Sequence, residues 1–115
     1  MDIRRLETTE GIVLAERVHL ARSFGRRTVG LMFRRELPEG EGLAIIPCNQ
    51  IHMFFMRIPL DVLFVDREGR VLHLLRGIRP WRMSRLVRGA RYTIELPVGT
   101  LDRAGVERGA MVRLV

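Results

Sequence analysis

A chain of 115 residues, 47% hydrophobic and 29% charged, has room for one globular domain and no more. None of its apolar runs reaches the ~20 residues that a membrane-crossing helix needs. The opening MDIRRLETTEG carries no signal-peptide core, and the one cysteine, Cys48, cannot close an internal disulfide. These features predict a cytoplasmic, membrane-free protein, a monomer or small homo-oligomer, with residues 1–115 as a single domain.

In chain order, GIVLAERVHLA (11–21) is rich in Val, Ile and Leu and predicts strand, in two short pieces meeting near Glu16. A short helix is predicted within 23–35. Ser23 can cap its start, and Phe24, Thr28, Leu31 and Met32 recur at helical spacing. Gly25 and Gly30 weaken it, and Leu37-Pro38 closes it. GLAIIP (42–47) is a short apolar strand stopped by proline. LDVLFV (60–65) and RVLHLL (70–75) flank Asp66-Arg67-Glu68-Gly69, a hairpin signal with glycine available for positive φ. Residues 92–96 alternate, with Tyr92, Ile94 and Leu96 on one side and Thr93 and Glu95 on the other. Residues 99–109 are turn-rich with one helical turn, and AMVRLV (110–115) is a closing strand. Many short, mostly antiparallel strands and one short helix predict a mainly β fold, a small β-sandwich or closed barrel.

CNQIHMFFMRIPLD (48–61) sets Cys48, His52 and Met56 four residues apart. On a helix these would converge. On the extended backbone that Ile51, Phe54, Phe55, Ile58 and Pro59 favour, neighbours fall about 13 Å apart, too far for one ion. No metal site and no cofactor is therefore expected. Phe54, Phe55, Met53 and Met56 read as core filler of a central strand, and His52 as a hydrogen-bonded core histidine. His52 is also the best acid–base candidate in the chain. Asp61 shares strand parity with Leu63 and Val65 and needs a partner if buried, either a backbone tie or an arginine such as Arg57. His52, Phe54, Met56, Arg57, Asp61 and Trp81 make up the candidate pocket.

RGIRPWRMSRLVRGAR (76–91) repeats an arginine every third residue: Arg76, Arg79, Arg82, Arg85, Arg88 and Arg91. This stretch contains no acid and so carries +6 of the net charge of +7; all 20 basic residues of the chain are arginine. Gly77, Pro80 and Gly89 disfavour a continuous helix. The intervening Ile78, Trp81, Met83, Leu86 and Val87 predict a loop packed on the sheet with its guanidiniums facing water. Such a rim suits an anionic partner. Against nucleic acid stand the single tyrosine, the single tryptophan and the lack of a recognisable stacking platform.

From Gly30 onward, GLMFR (30–34), GEGLAIIPC (40–48), IHMFFM (51–56), IPLDVLFVD (58–66), PW (80–81), IELPVG (94–99) and VERG (106–109) occur together in order. In these pieces the chain resembles the domain-of-unknown-function family numbered 192. The resemblance implies a compact, mostly β fold with one helix near the start of the motif, and no assigned activity. The family pattern places an acid after the last glycine, where this chain has Ala110.

No phosphate-binding glycine loop, serine elbow, HExxH or CxxC is present. No catalytic residue is assigned. The leading expectation is a non-catalytic β-domain that binds a small or anionic partner between 48–61 and 76–91. The alternatives are a binder of nucleic acid or acidic protein through the arginines alone and, weakest, an enzyme using His52 and Asp61.

Overall fold

The computed structural model describes residues 2–115. Among these residues seven strands form one sheet: β1 (Ile3–Thr8), β2 (Val13–Ala21), β3 (Glu41–Ile45), β4 (Leu60–Val65), β5 (Val71–Ile78), β6 (Tyr92–Leu96) and β7 (Val112–Leu114). Their order is β5-β4-β6-β3-β2-β1-β7, and every neighbouring pair is antiparallel except β2 and β3. Two short helices, α1 (Phe24–Val29) and α2 (Thr100–Ala104), complete the fold.

Side-chain alternation on β4 shows how the core divides. Leu63 and Val65 join Leu6, Val18, Ile94 and Leu96 on one face, which Leu101 of α2 covers. Leu60, Val62 and Phe64 point the other way, onto Leu43 and Ile45. That second face is covered by Ile51, Met53, Met56 and Val87, all from irregular segments. A strand buried on both faces carries apolar residues at both parities, which is why LDVLFV shows no polar alternation apart from Asp61.

The fold is mainly β, but it is neither a sandwich nor a closed barrel. The sheet curls into a half-barrel whose two edge strands meet at one end only. There Val71 N donates to Ala110 O, Gly109 N to Val71 O and Val112 N to Gly69 O, each at 2.8 Å. The reason closure stops is length, since β7 has 3 residues and cannot accompany the 8 of β5. Past that point a side chain spans the gap. Arg76 donates to Asp102 Oδ1 at 2.8 Å, Val106 O at 3.2 Å and Glu107 Oε1 at 2.9 Å.

Several local expectations are corrected. β1 lies in a charged stretch, IRRLET, that does not read as strand from sequence. β2 is one strand, not two, and a bulge against β1 falls at Glu16 and Arg17. α1 ends at Val29, short of the 23–35 expected, with Ser23 Oγ accepting from Arg26 N at 3.2 Å. No residue of α1 is buried, so tertiary packing does not extend it. Residues 46–59 form no strand.

Candidate functional site

Asp61 is buried and its carboxylate is saturated by main chain. Oδ1 accepts from Gly77 N at 2.9 Å, and Oδ2 accepts from Gly99 N at 3.0 Å and Leu101 N at 3.1 Å. Gly77 presents its amide from an irregularity in the β4–β5 pairing, at φ +67, and Gly99 and Leu101 open α2. Three amide donors offset the desolvation of the carboxylate without a cation. The tie therefore comes from the backbone, and Arg57 stays exposed away from it.

The segments 48–56 and 80–91 zip together by main chain over the second face. Met53 is the anchor, with no exposed surface. Its N donates to Arg82 O and its O accepts from Trp81 N, both at 2.7 Å. Ser84 N donates to Ile51 O at 2.9 Å, and Val87 N to Asn49 O at 2.8 Å. The arginine-rich loop is thus ordered, but fewer of its apolar residues pack than expected. Val87 is buried, whereas Trp81, Met83 and Leu86 are exposed.

Three tight turns then converge. Arg34 N reaches Leu31 O at 3.2 Å, Met56 N reaches Met53 O at 3.2 Å, and Arg82 N reaches Arg79 O at 3.4 Å. In each turn the third residue is aromatic and has positive φ: Phe33 (+67), Phe55 (+64) and Trp81 (+70). That is the glycine position of a type II turn, and a bulky side chain there costs about 1–3 kcal/mol of strain. No other non-glycine residue among those described has positive φ. The strained rings and their neighbours form one exposed cluster. Ring centroids lie 5.7 Å apart for Phe33–Phe55, 5.0 Å for Phe55–Trp81 and 6.1 Å for Phe54–Trp81. A bond from Phe33 N to Phe55 O at 3.0 Å locks the first two turns together.

His52 belongs to this surface, so it is not a core histidine. Its ring stacks on Phe54 at 4.9 Å, and its Nδ1 accepts from Phe54 N at 3.2 Å, which in the neutral ring leaves the proton on Nε2. Met56 lies beneath, in the core. Of the expected pocket residues, His52, Phe54 and Trp81 come together at the surface, with Arg57 next in sequence to Met56. Asp61 sits apart, on the face that α2 covers.

The arginine ladder does not form one rim. All six side chains are exposed, yet Arg76 is neutralised by Asp102 and Glu107 across the sheet gap. Arg85 lies toward His73, whose pKa is held below its usual value by burial first and then by Arg85 and Arg108. Arg88 and Arg91 border a shallow depression shared with Asp66 and Glu68. Only Arg79 and Arg82 flank Trp81. Arg34 follows Phe33 and Arg57 lies two residues past Phe55 in sequence; all four arginines are exposed, and none has an acid within ion-pair distance among the described residues.

A separate pocket of about 220 Å³ opens between α1 and residues 45–52. Its polar lining includes Arg27, Cys48, Gln50, His52 and Glu95. Glu95, only 4% exposed, stands out. Burial alone pushes its carboxyl pKa up to about 7, with no hydrogen-bond or charge partner offsetting it. Sequence alternation set Glu95 with Thr93 on the side opposite Ile94 and Leu96; β6 is an interior strand, and both of its sides are covered. Phe33 and Phe55 were missed as site residues because positive φ on an aromatic has no sequence signature. Among the described residues no group of three His, Cys, Asp or Glu side chains converges on a metal position. Among the described residues no helix is long and apolar enough to cross a membrane.

A curled seven-stranded sheet with two covered faces defines a small, mainly β domain. The chain belongs to the DUF192 family, described as uncharacterized ACR, whose model matches residues 5–114. It is 38% identical over 109 residues to a UPF0127 protein of Thermococcus sibiricus, covering 90% of this chain and 70% of the relative. A UPF0127 protein of Pyrococcus furiosus is 32% identical over 109 residues, covering 90% and 91%. Two crystal structures share the fold at 28% identity. A protein of unknown function from Novosphingobium aromaticivorans superposes with TM-score 0.82, covering 96% of this chain and 83% of that one. A protein from Sinorhizobium meliloti, proposed as a transcription regulator, gives 0.81 with 97% and 92% covered.

Proposed function

We propose that this domain binds single-stranded nucleic acid on the cluster formed by Phe33, Phe54, Phe55 and Trp81, with Arg34, Arg57, Arg79 and Arg82 meeting the phosphates. The observation that carries the reading is the set of three turns that hold aromatics at positive φ. Glycine would relieve each turn, so the strain is explained by what the rings do once displayed. Exposed rings a few ångströms apart suit bases, which offer a flat face whatever their sequence, and guanidiniums around them suit the backbone. The neutral body of the chain leaves this surface as a local positive field. The S. meliloti neighbour, proposed as a transcription regulator, fits the same class of partner.

Trp81 is the only tryptophan of the chain, and its fluorescence reports on the surface directly. Titration with a homopyrimidine DNA oligonucleotide at low salt is expected to quench it. With four phosphates engaged, log affinity should fall against log salt with a slope of about −3. No quenching, a slope near zero, or equal quenching by polyglutamate would overturn the reading, the last in favour of an acidic protein partner.

A further inference from the structure

We propose that the pocket between α1 and residues 45–52 is a binding site for a small branched aliphatic amino acid, its ammonium against Glu95 and its carboxylate against Arg27. This site is distinct from the aromatic surface, which it adjoins at His52 and at Leu31, Met32 and Met56 of the turns that carry Phe33 and Phe55.

Two orphaned polar groups define it. Glu95 is 4% exposed, lines the pocket and has no polar partner. Its Oε1 lies 3.9 Å from where a side chain on Gly30 would begin, so the absence of one at Gly30 leaves room beside the carboxyl. Arg27 lines the same pocket. Its Nη1 makes one long bond, 3.4 Å to Pro47 O, and its Nε is the sole buried side-chain nitrogen or oxygen without a partner among the described residues. Arg27 and Glu95 do not pair with each other, so neither offsets the other's desolvation.

A carboxyl that lines the cavity with no hydrogen-bond or ionic partner, and a buried guanidinium nitrogen that also lacks one, call for a ligand with a cationic donor at one end and an anionic acceptor at the other. Apart from Thr28, Cys48, Gln50 and His52 the rest of the wall is apolar, including Leu31, Ile45, Ile51 and Met56, and this part favours a hydrocarbon side chain. At about 220 Å³ the cavity falls below the ~300–1,000 Å³ of sites for drug-sized ligands and suits a small amino acid. An ammonium would hold Glu95 ionised through a charge-assisted hydrogen bond, while the guanidinium accepts a carboxylate as its natural planar partner.

The test is an amide-shift titration of isotope-labelled protein with valine, isobutylamine and isovalerate, which present both charges, the ammonium alone and the carboxylate alone. Valine at millimolar concentration is expected to move the amides of Arg27, Cys48, Gln50 and Glu95. Each single-charge analogue should bind about tenfold more weakly, as the loss of one charge-assisted bond requires. Glu95→Gln retains the shape and removes the charge, and should lose valine by a similar factor while its spectrum elsewhere is unchanged. Absence of shifts with valine, an unchanged affinity in Glu95→Gln, or an analogue that binds as tightly as valine overturns the proposal.

Discussion

Trp81 and Phe55 stand with ring centroids 5.0 Å apart and planes at 58°, each ring at least half exposed and each on a residue with positive φ. Two strained neighbours displayed together separate stability from recognition. Trp81→Gly and Phe55→Gly relieve strain in the turn and add freedom to the unfolded chain, so urea unfolding should stay within about 1 kcal/mol of the parent. Oligonucleotide affinity should fall by about 1–3 kcal/mol for each ring removed. Met53→Ala is the counterpart. It empties a buried site beneath both turns and should cost about 2–5 kcal/mol of stability.

The free and paired arginines should differ in their salt response. Arg79→Gln and Arg82→Gln should each reduce the slope of log affinity against log salt by about 1. Arg76→Gln should leave that slope unchanged, because Asp102 and Glu107 already neutralise its charge. A uniform effect across the ladder would count against the frame around Trp81.

Asp61 joins three chain segments through one carboxylate. Asp61→Ala leaves the amides of Gly77, Gly99 and Leu101 buried without an acceptor, at a cost of about 3–5 kcal/mol. Asp61→Asn should recover only part of this, since its NH₂ group would face backbone donors. Denaturant unfolding with an unchanged m-value would show that the loss is thermodynamic and not a change of state.

Glu95 makes stability depend on pH. Its carboxyl titrates near 7 in the folded chain against a reference of 4.5, because burial disfavours the charged form. Below the lower value both states hold the proton and the group has no effect. As pH rises through the window the unfolded chain releases the proton first, so stability declines and levels off above the folded value, with a total loss of about 3 kcal/mol. Glu95→Gln should flatten this decline and be the more stable form at alkaline pH. Thermal unfolding across the window checks both statements.

Gly69 closes the sheet at its one main-chain seam, at φ +94. A methyl group there would lie 2.5 Å from Val112 O, the residue whose N bonds back to Gly69 O. Gly69→Ala should cost at least about 2 kcal/mol, from strain and the lost bond together. Calorimetry reads this as a lowered midpoint.

The β4–β5 hairpin is legible in the sequence because its apolar residues and the Asp66–Gly69 turn agree. Asp66 Oδ1 does accept from Glu68 N and Arg70 N, both at 2.9 Å. Residues 48–56 mislead, because aromatic and branched residues favour extended backbone wherever they occur. What displaces a strand there is pairing with 80–91, a partner distant in sequence and marked by no pattern. Asp61 is legible as a residue needing partners, but the donors are amides, which every residue carries. Glu95 is hidden for a related reason. Period-two alternation tells which residues share a side of a strand, and cannot tell whether a helix later covers that side.

The reach of Arg76 from β5 to the α2–β7 connection has a dynamic consequence. Elsewhere the sheet is held by repeated main-chain bonds that break together. Along this stretch it is held by two side chains, the buried Asp61 carboxylate at Gly77, Gly99 and Leu101 and the half-exposed Arg76 guanidinium, whose grip salt weakens. Hydrogen exchange should therefore begin beside Arg76 and stop short of Asp61, so that the domain breathes like a cuff with one loose button next to a tight one, opening there long before its strands part.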